Sequence, residues 1–214
     1  MVTGASDRDA ATHTRRQAIL DAALTLFSTK GFTETTMEDI RRLSGASTGS
    51  IYHHFENKEM LARALYLDGR NDLNRVLLTS FKELPVDALQ PRTGIKAFVY
   101  AYLDWFEQHP DLGQFFMQAA DTEYLGAYIK VLRQKILTTL PIESFPEQFL
   151  LWLTPYIEEG IIVRLPQSLY YPLVIGASRE FVRRWLRTRL PEEIQEVREP
   201  LAEAAWIVLA SPIV

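Results

Sequence analysis

The chain has 214 residues, 47% hydrophobic and 23% charged, which is typical of a folded globular protein and excludes a disordered one. It contains no cysteine, so disulfides and thiolate metal sites are excluded. No apolar run approaches the roughly 18 residues of a membrane span, and residues 1–11 lack the apolar centre of a signal peptide, so we expect a cytoplasmic protein. The formal net charge of −4 does not indicate nucleic-acid binding, and residues 1–60 hold seven Lys or Arg against eight Asp or Glu.

Helical periodicity recurs along the whole chain, and strand-like alternation is absent. In the first helix Ile19, Ala23, Leu26 and Phe27 fall on one face, and Gly31 is placed to end the helix as a C-terminal cap. The pattern predicts an all-α protein.

The second helix is short and ends at Gly45. Thr35 with Glu38 three residues on forms a capping-box pattern, and Thr36 with Asp39 forms a weaker one, so the helix begins at one of these threonines. We expect Thr35 to be a cap rather than a DNA contact. The apolar face of this helix comprises Met37, Ile40 and Leu43.

Two further N-terminal caps are predicted. Ser47 caps a third short helix that runs to about His53, and Asn57 caps a long fourth helix that Pro85 stops. Two short helices joined by a turn, with a first helix behind them, make a helix-turn-helix.

After Pro91 aromatic residues become dense and prolines separate the helical segments. The predicted helices are 94–108, 111–118, 122–139, 147–163, 168–189 and 196–210, with prolines at 110, 141, 146, 166, 191 and 200 between them. We predict four parts: a flexible N-terminus (1–11), a three-helix helix-turn-helix module (12–56), a connecting helix (57–84), and a larger C-terminal helical domain (85–214).

The third helix is suited to enter a major groove, because Ile51 and Phe55 anchor it inward. This leaves an outward face that comprises Ser47, Thr48, Ser50, Tyr52 and His53. Small hydroxyl side chains allow close approach to DNA, and the Tyr and His side chains reach further.

The N-terminal pattern resembles the DNA-binding signature of the TetR/AcrR family over about 45 residues. The matching segments are Gly31-Phe32, Thr35-Thr36-Met37-Glu38-Asp39-Ile40, Ser44-Gly45-Ala46-Ser47-Thr48-Gly49-Ser50-Ile51-Tyr52-His53-His54-Phe55 and Asn57-Lys58-Glu59-Met60-Leu61. The pair Arg41-Arg42 departs from the family's usual residues, and it is either a solvated face or an added phosphate contact.

The resemblance implies roles for individual residues. Thr36 would hydrogen-bond a phosphate at a helix N-terminus, and Lys58 would reach another phosphate. Base edges would lie nearest Thr48, Gly49 and Ser50. Tyr52 and His53 would contact the DNA backbone or a thymine methyl, and Ser47 would act at least as a cap. The alternatives are packing for Tyr52, a solvated surface for His53, and for His54 a structural role against the first helix.

The resemblance also implies an all-helical effector domain. We predict that Tyr102, Trp105, Trp152 and Tyr156 line a pocket for a small apolar or aromatic effector, the alternative for each being core packing. His109 is the only histidine after His54 and we expect it in a turn, so no catalytic set, metal site or cofactor is predicted.

The last two helices mix small and large apolar residues, which favours a homodimer built as a four-helix interface. These residues are Leu173, Val174, Gly176, Ala177, Phe181, Trp185, Leu201, Ala204, Ala205, Ile207, Val208 and Leu209. The five arginines between 179 and 189 are expected to be a solvated face.

Together these features predict a transcriptional regulator, most simply a repressor that an effector releases from its double-stranded DNA operator. The effector would favour a dimer conformation with another spacing of the reading helices, transmitted through residues 57–84. Two other classes stay open: an enzyme that uses a cavity in the C-terminal domain, and a protein-interaction module.

Overall fold

A computed structural model describes residues 3–84, 91–119, 125–126 and 145–211. Nine helices lie in these ranges: α1 (Thr3–Thr29), α2 (Met37–Ser44), α3 (Thr48–His54), α4 (Lys58–Lys82), α5 (Pro91–Gln108), α6 (Pro110–Ala119), α7 (Phe145–Glu158), α8 (Gln167–Trp185) and α9 (Pro191–Leu209). The same ranges contain no sheet, only one antiparallel bridge between Ile162 and Ala210. The all-α prediction is confirmed. The helix predicted for 122–139 lies outside the described residues except at 125–126.

Two details differ from the sequence expectations. Residues 3–11, for which we expected a flexible N-terminus, lie in the first turns of α1. Pro200 lies inside α9, which starts instead at Pro191, where proline's fixed φ suits a first helical position. None of the described helices is long and apolar enough to cross a membrane.

The chain divides into two compact units, Met1–Gly69 with Asp111–Val131 and Arg70–Pro110 with Leu132–Val214. Helix α4 contributes residues to both, because the division falls between Gly69 and Arg70.

The core of the first unit is formed by α1 to α4 and α6. Buried residues include Ile19, Ala23, Phe27, Ile40, Ile51, Phe55, Leu61 and Phe115. Leu43, which we placed on the apolar face of α2, is instead 53% exposed. Because α2 has only eight residues, two side chains hold it to the core: Ile40, which is buried, and Met37, which is partly buried.

In the second unit, α5 packs against α8 and α9. Its buried face includes Phe98, Val99, Leu103 and Phe106. Charged pairs also join α5 to α9: Arg198 lies 2.7 Å from Asp104, and Arg92 lies 2.9 Å from Glu203. These pairs are partly exposed, so apolar packing supplies most of the stabilisation.

Candidate nucleic-acid interface

Thr36 caps α2. Its Oγ1 accepts a hydrogen bond from the backbone N–H of Asp39 at 3.1 Å, and the Asp39 carboxylate accepts one from the Thr36 N–H at 3.0 Å. Lys30 Nζ lies 2.8 Å from the same carboxylate. The hydrogen bond from Lys30, with those from Thr36, holds the pKa of the Asp39 carboxyl far below its usual range.

The expectation that Thr35 is the cap was therefore wrong. Thr35 is fully buried, and its hydroxyl donates to the Gly31 carbonyl at 2.7 Å. Because that side chain is directed inward, the nominally weaker pair of Thr36 and Asp39 forms the capping box. The Thr36 hydroxyl also donates to Asp39 Oδ2 at 2.8 Å, so its hydrogen is already used within the cap.

The turn and the start of α3 follow from local chemistry. Gly45 ends α2 with φ +65°, a left-handed conformation that glycine adopts without strain. Ser47 Oγ then accepts from the Ser50 N–H at 3.2 Å, as predicted for the N-terminal cap of α3. Ile51 and Phe55 are 1% and 5% exposed, so they fix which face of α3 remains outside.

That outer face carries most of the predicted DNA contacts. Ser47, Thr48, Gly49, Tyr52 and His53 are exposed, and Ser50 is half-buried. Tyr52 exposes 53% of its surface, so packing within this chain does not account for its aromatic ring. A Cβ atom at Gly49 would meet no atom within 4 Å, so the packing of this chain does not require a glycine there.

Lys58 has a different place from the one the resemblance implied. Its Nζ donates to the carbonyl oxygens of Phe32, Thr33 and Thr35 at 2.6, 3.2 and 2.7 Å. The ammonium also lies 4.3 Å from the centre of the Phe32 ring. All three N–H donors of the ammonium are used on the loop between α1 and α2, so a phosphate contact by Lys58, which stays a prediction, would have to replace these carbonyls.

The structure distinguishes the two arginines of α2. Arg41 pairs with Glu38 through two hydrogen bonds of 2.7 Å. Arg42 is exposed and makes no hydrogen bond or ion pair within the described ranges. Arg41 therefore belongs to a solvated ion pair, and the possibility of a phosphate contact remains for Arg42.

His54 lies half-buried beside α1. Its ring is 5.2 Å from that of His53, edge on. Burial lowers its pKa, and the neighbouring His53, Arg16 and Arg15 lower it further. The guanidinium groups of Arg15 and Arg16 on α1 thus act on a residue of α3.

The four aromatics predicted to bind an effector do not form one cluster. Trp105 is 1% exposed, its Nε1 donates to Asp72 at 2.8 Å, and its ring stacks on His109 at 4.9 Å. Trp105 is thus a core residue whose polar end is satisfied.

The other predicted effector residues are placed differently. Trp152 and Tyr156 are neighbours, with ring centres 5.5 Å apart. Trp152 Nε1 is buried and has no hydrogen-bond partner among the described residues. Tyr102 is 4% exposed, and its hydroxyl makes no hydrogen bond to the described part of the chain. Burial, and then the nearby Tyr171, raise the pKa of Tyr102.

Sequence reasoning missed Arg15, which lines a groove between α1 and α3 with Ser47, Ser50 and His53. The sequence shows only two adjacent arginines within a helix, and no local pattern indicates that one of them faces α3.

Residues 19–65 match the sequence model of a family described as "Bacterial regulatory proteins, tetR family". The HTH-type transcriptional repressor KstR2 of Rhodococcus jostii is 34% identical over 85 residues, which cover 40% of each chain. KstR2 of Mycolicibacterium smegmatis is 28% identical over 136 residues, covering 57% of this chain and 65% of its own. The chain thus spans 40% to 65% of the length of these two curated relatives.

Solved structures share the fold. A TetR family transcription regulator from Marinobacter aquaeolei has a TM-score of 0.74 at 19% identity, over 97% of this chain and 100% of its own. The regulator FadR from Bacillus subtilis, solved in complex with stearoyl-CoA, has a TM-score of 0.69 at 17% identity, over 90% and 98% of the two chains.

Proposed function

Because the chain belongs to the TetR family, we propose that it is a DNA-binding transcriptional regulator that represses its target genes until an effector releases it from the operator. The observation that carries this proposal is α3, which Ile51 and Phe55 hold to the core while Thr48, Tyr52 and His53 stay exposed. A short helix anchored on one face, with hydroxyl and aromatic groups on the other, fits a major groove.

The test is fluorescence-anisotropy titration with duplex DNA flanking the protein's own gene, in the presence of random competitor DNA and at several salt concentrations. We expect competitor-resistant binding that weakens as salt rises. Binding no tighter than to random DNA, for that fragment and for sequences selected genome-wide, would contradict specific operator recognition.

Substitutions on α3 test which of its residues contact DNA. Thr48→Ala and Tyr52→Ala should each weaken binding by about 1–3 kcal/mol if they remove a base contact, and by less if they remove a backbone contact. Both side chains are exposed, so the fold should not change. Thr25→Ala, on the exposed face of α1, is the matched control, and a protein-interaction module predicts that all three variants bind DNA equally.

We infer a homodimer from the exposed apolar residues of the last two helices. Some of the residues predicted for the dimer interface are buried within the second unit, among them Val174, Trp185 and Leu209. Others are free to contact a partner, since Ile207 and Val208 are 64% and 43% exposed. Gly176, Ala177 and Ala204 are also exposed, and such small residues allow helices to approach closely. Light scattering should give a dimer for the parent protein and a monomer for Ile207→Glu.

The effector site is proposed around Tyr102, Trp152 and Tyr156 in the second unit. Phe98 links these residues, since it lies one turn before Tyr102 on α5 and stacks on Phe149 at 5.1 Å, which in turn stacks on Trp152 at 5.8 Å. A buried donor without an acceptor is costly, so an apolar effector that carries an acceptor oxygen would satisfy Trp152 Nε1.

Stearoyl-CoA, which has an apolar tail and a thioester carbonyl, is a suitable first probe because FadR of Bacillus subtilis was solved with it. We expect it to quench tryptophan fluorescence and to release DNA, and we expect Trp152→Phe to weaken both effects. Because α4 contributes residues to both units, it is the proposed route of coupling. Turnover of a ligand by a protein without DNA affinity would favour the enzyme alternative instead.

A further inference from the structure

Most of the described Lys and Arg side chains in the first 69 residues already contact other groups of the same unit. Arg16 pairs with Asp68 at 2.9 Å, Lys30 with Asp39 at 2.8 Å and Arg41 with Glu38 at 2.7 Å. Lys58 donates to three backbone carbonyls, and Arg63 contacts the sulfur of Met60 at 3.8 Å. A cation that already pairs with a carboxylate must give up that partner before it can bind a phosphate.

Two arginines of this segment differ from the others. Arg15 on α1 and Arg42 on α2 are exposed, and neither makes a hydrogen bond or an ion pair with the described residues. Arg42 follows Arg41 directly, yet Arg41 holds Glu38 through two hydrogen bonds and exerts the larger electrostatic effect on that carboxyl. The acidic neighbour is therefore satisfied without Arg42.

Arg15 also lies in a defined setting. The groove between α1 and α3 is lined by Arg15 and Thr12 on one side and by Ser47, Ser50 and His53 on the other. These groups are hydroxyls, a guanidinium and an imidazole, and none of the described side chains that line the groove is a carboxylate. His54 also lines this groove, and its pKa is lowered by burial and then by its neighbours His53, Arg16 and Arg15. The guanidinium groups of Arg15 and Arg16 therefore lie close enough to act on the groove. Hydroxyl donors beside a free guanidinium match the oxygens of a phosphodiester.

We propose that Arg15, in the groove between α1 and α3, and Arg42, on α2, bind the phosphates of DNA and supply the electrostatic attraction that the reading helix α3 lacks. This inference rests on the proposed DNA-binding function and assigns its phosphate contacts. Neither arginine is on α3, so both act on affinity and position rather than on base choice.

The test measures how the binding constant depends on salt, for the full chain with Arg15→Gln, Arg42→Gln and the control Arg41→Gln. All three changes remove one positive charge, so effects of net charge are matched, and Arg41 and Arg42 are adjacent on the same helix. Each phosphate contact contributes about 0.9 to the slope of log K against log salt. Because each substitution removes two contacts from a DNA-bound homodimer, we expect Arg15→Gln and Arg42→Gln each to reduce the slope by about 1.8 and to weaken binding about 60-fold at 0.1 M salt.

Arg41→Gln should retain most of the parent's slope. The weakening by Arg15→Gln and Arg42→Gln should be the same for operator-flanking and for random duplexes, because phosphates carry no sequence information. Circular dichroism and Tm establish that each variant is folded before its slope is compared.

Two results overturn the proposal while leaving DNA binding intact: unchanged slopes for Arg15→Gln and Arg42→Gln, or an equal loss for Arg41→Gln, which would indicate bulk charge rather than contacts. A parent protein that binds neither DNA at any salt concentration would instead refute the proposed function, and this inference with it.

Discussion

The substitution Lys58→Met tests whether Lys58 stabilises the fold or binds DNA. The substitution keeps most of the length and apolar volume of the side chain and removes the ammonium. In the parent protein that ammonium donates to Phe32, Thr33 and Thr35 carbonyls at 2.6, 3.2 and 2.7 Å, and so ties the start of α4 to the loop that precedes α2.

The expected cost follows from these contacts. Hydrogen bonds from a charged donor contribute about 1.5–3 kcal/mol, and an exposed cation–π contact adds about 0.5–1 kcal/mol. Lys58 is half-buried, so water replaces part of what is lost. We therefore expect a loss of about 2–3 kcal/mol in the free energy of unfolding, or roughly 4–12 °C in Tm for a chain of this size.

Thermal and urea unfolding of the parent and Lys58→Met measure this loss, and the salt dependence of DNA binding is measured on the folded variant at low temperature. A structural lysine predicts lower stability with an unchanged salt slope. The opposite pattern, full stability with a slope reduced by about 1.8 for the two chains of a dimer, would refute the reasoning and restore the phosphate contact. Glu59→Gln, at the next and exposed position, is the control for charge changes at this helix start.

Two further predictions concern packing and pH. A methyl group at Gly94 would overlap the ring of Trp152, so Gly94→Ala should lower the free energy of unfolding by about 1–3 kcal/mol and shift tryptophan emission, whereas unchanged emission would contradict this packing. The pKa of Asp39 is depressed in the folded state, chiefly by Lys30, so its contribution is complete above the unfolded pKa of about 3.9 and is lost as pH falls through the folded value. The parent's Tm should therefore fall more steeply than that of Asp39→Asn between about pH 4 and pH 2, and parallel curves would show that the carboxylate contributes nothing.

The structure of the helix-turn-helix could be predicted wherever it depends on residues that are close together in sequence. The caps Ser47 and Asn57 act on residues three positions away, with Met60 N–H donating to Asn57 Oδ1 at 2.8 Å. Gly45 and the inward pair Ile51 and Phe55 also follow from spacing alone. Local rules of this kind determine which face of α3 is exposed, and this explains why the candidate DNA surface could be predicted.

Contacts between distant residues could not be predicted in the same way. Lys58 donates to carbonyls 23 to 26 residues earlier. Every residue has a backbone carbonyl, so the sequence does not indicate which carbonyls accept these bonds. The choice between Thr35 and Thr36 depended on the burial of Thr35, whose hydroxyl donates to the Gly31 carbonyl, and the capping motif does not encode that burial.

The aromatic residues of the second unit illustrate a related limit. A stripe of aromatic side chains on a helix is the same pattern in a solid core and in a binding site. Trp105 belongs to the core because Asp72, 33 residues earlier, accepts its indole N–H, whereas Trp152 has no such acceptor in the described part of the chain. The difference lies in the partner of one polar atom, which periodicity does not describe.

The distribution of charge leads to a prediction for the whole regulator. If each chain supplies two phosphate contacts, through Arg15 and Arg42, a two-fold dimer supplies four, and the slope of log K against log salt should be about −3.6. Binding should then weaken about 150-fold between 50 and 200 mM salt. A slope near −9 would mean that Arg16, Lys30 and Arg41 leave their carboxylates to bind DNA. A slope near −3.6 would mean that the dimer contacts only about four phosphates, so its non-specific affinity is low. Tight binding would then depend on contacts made by the exposed face of α3.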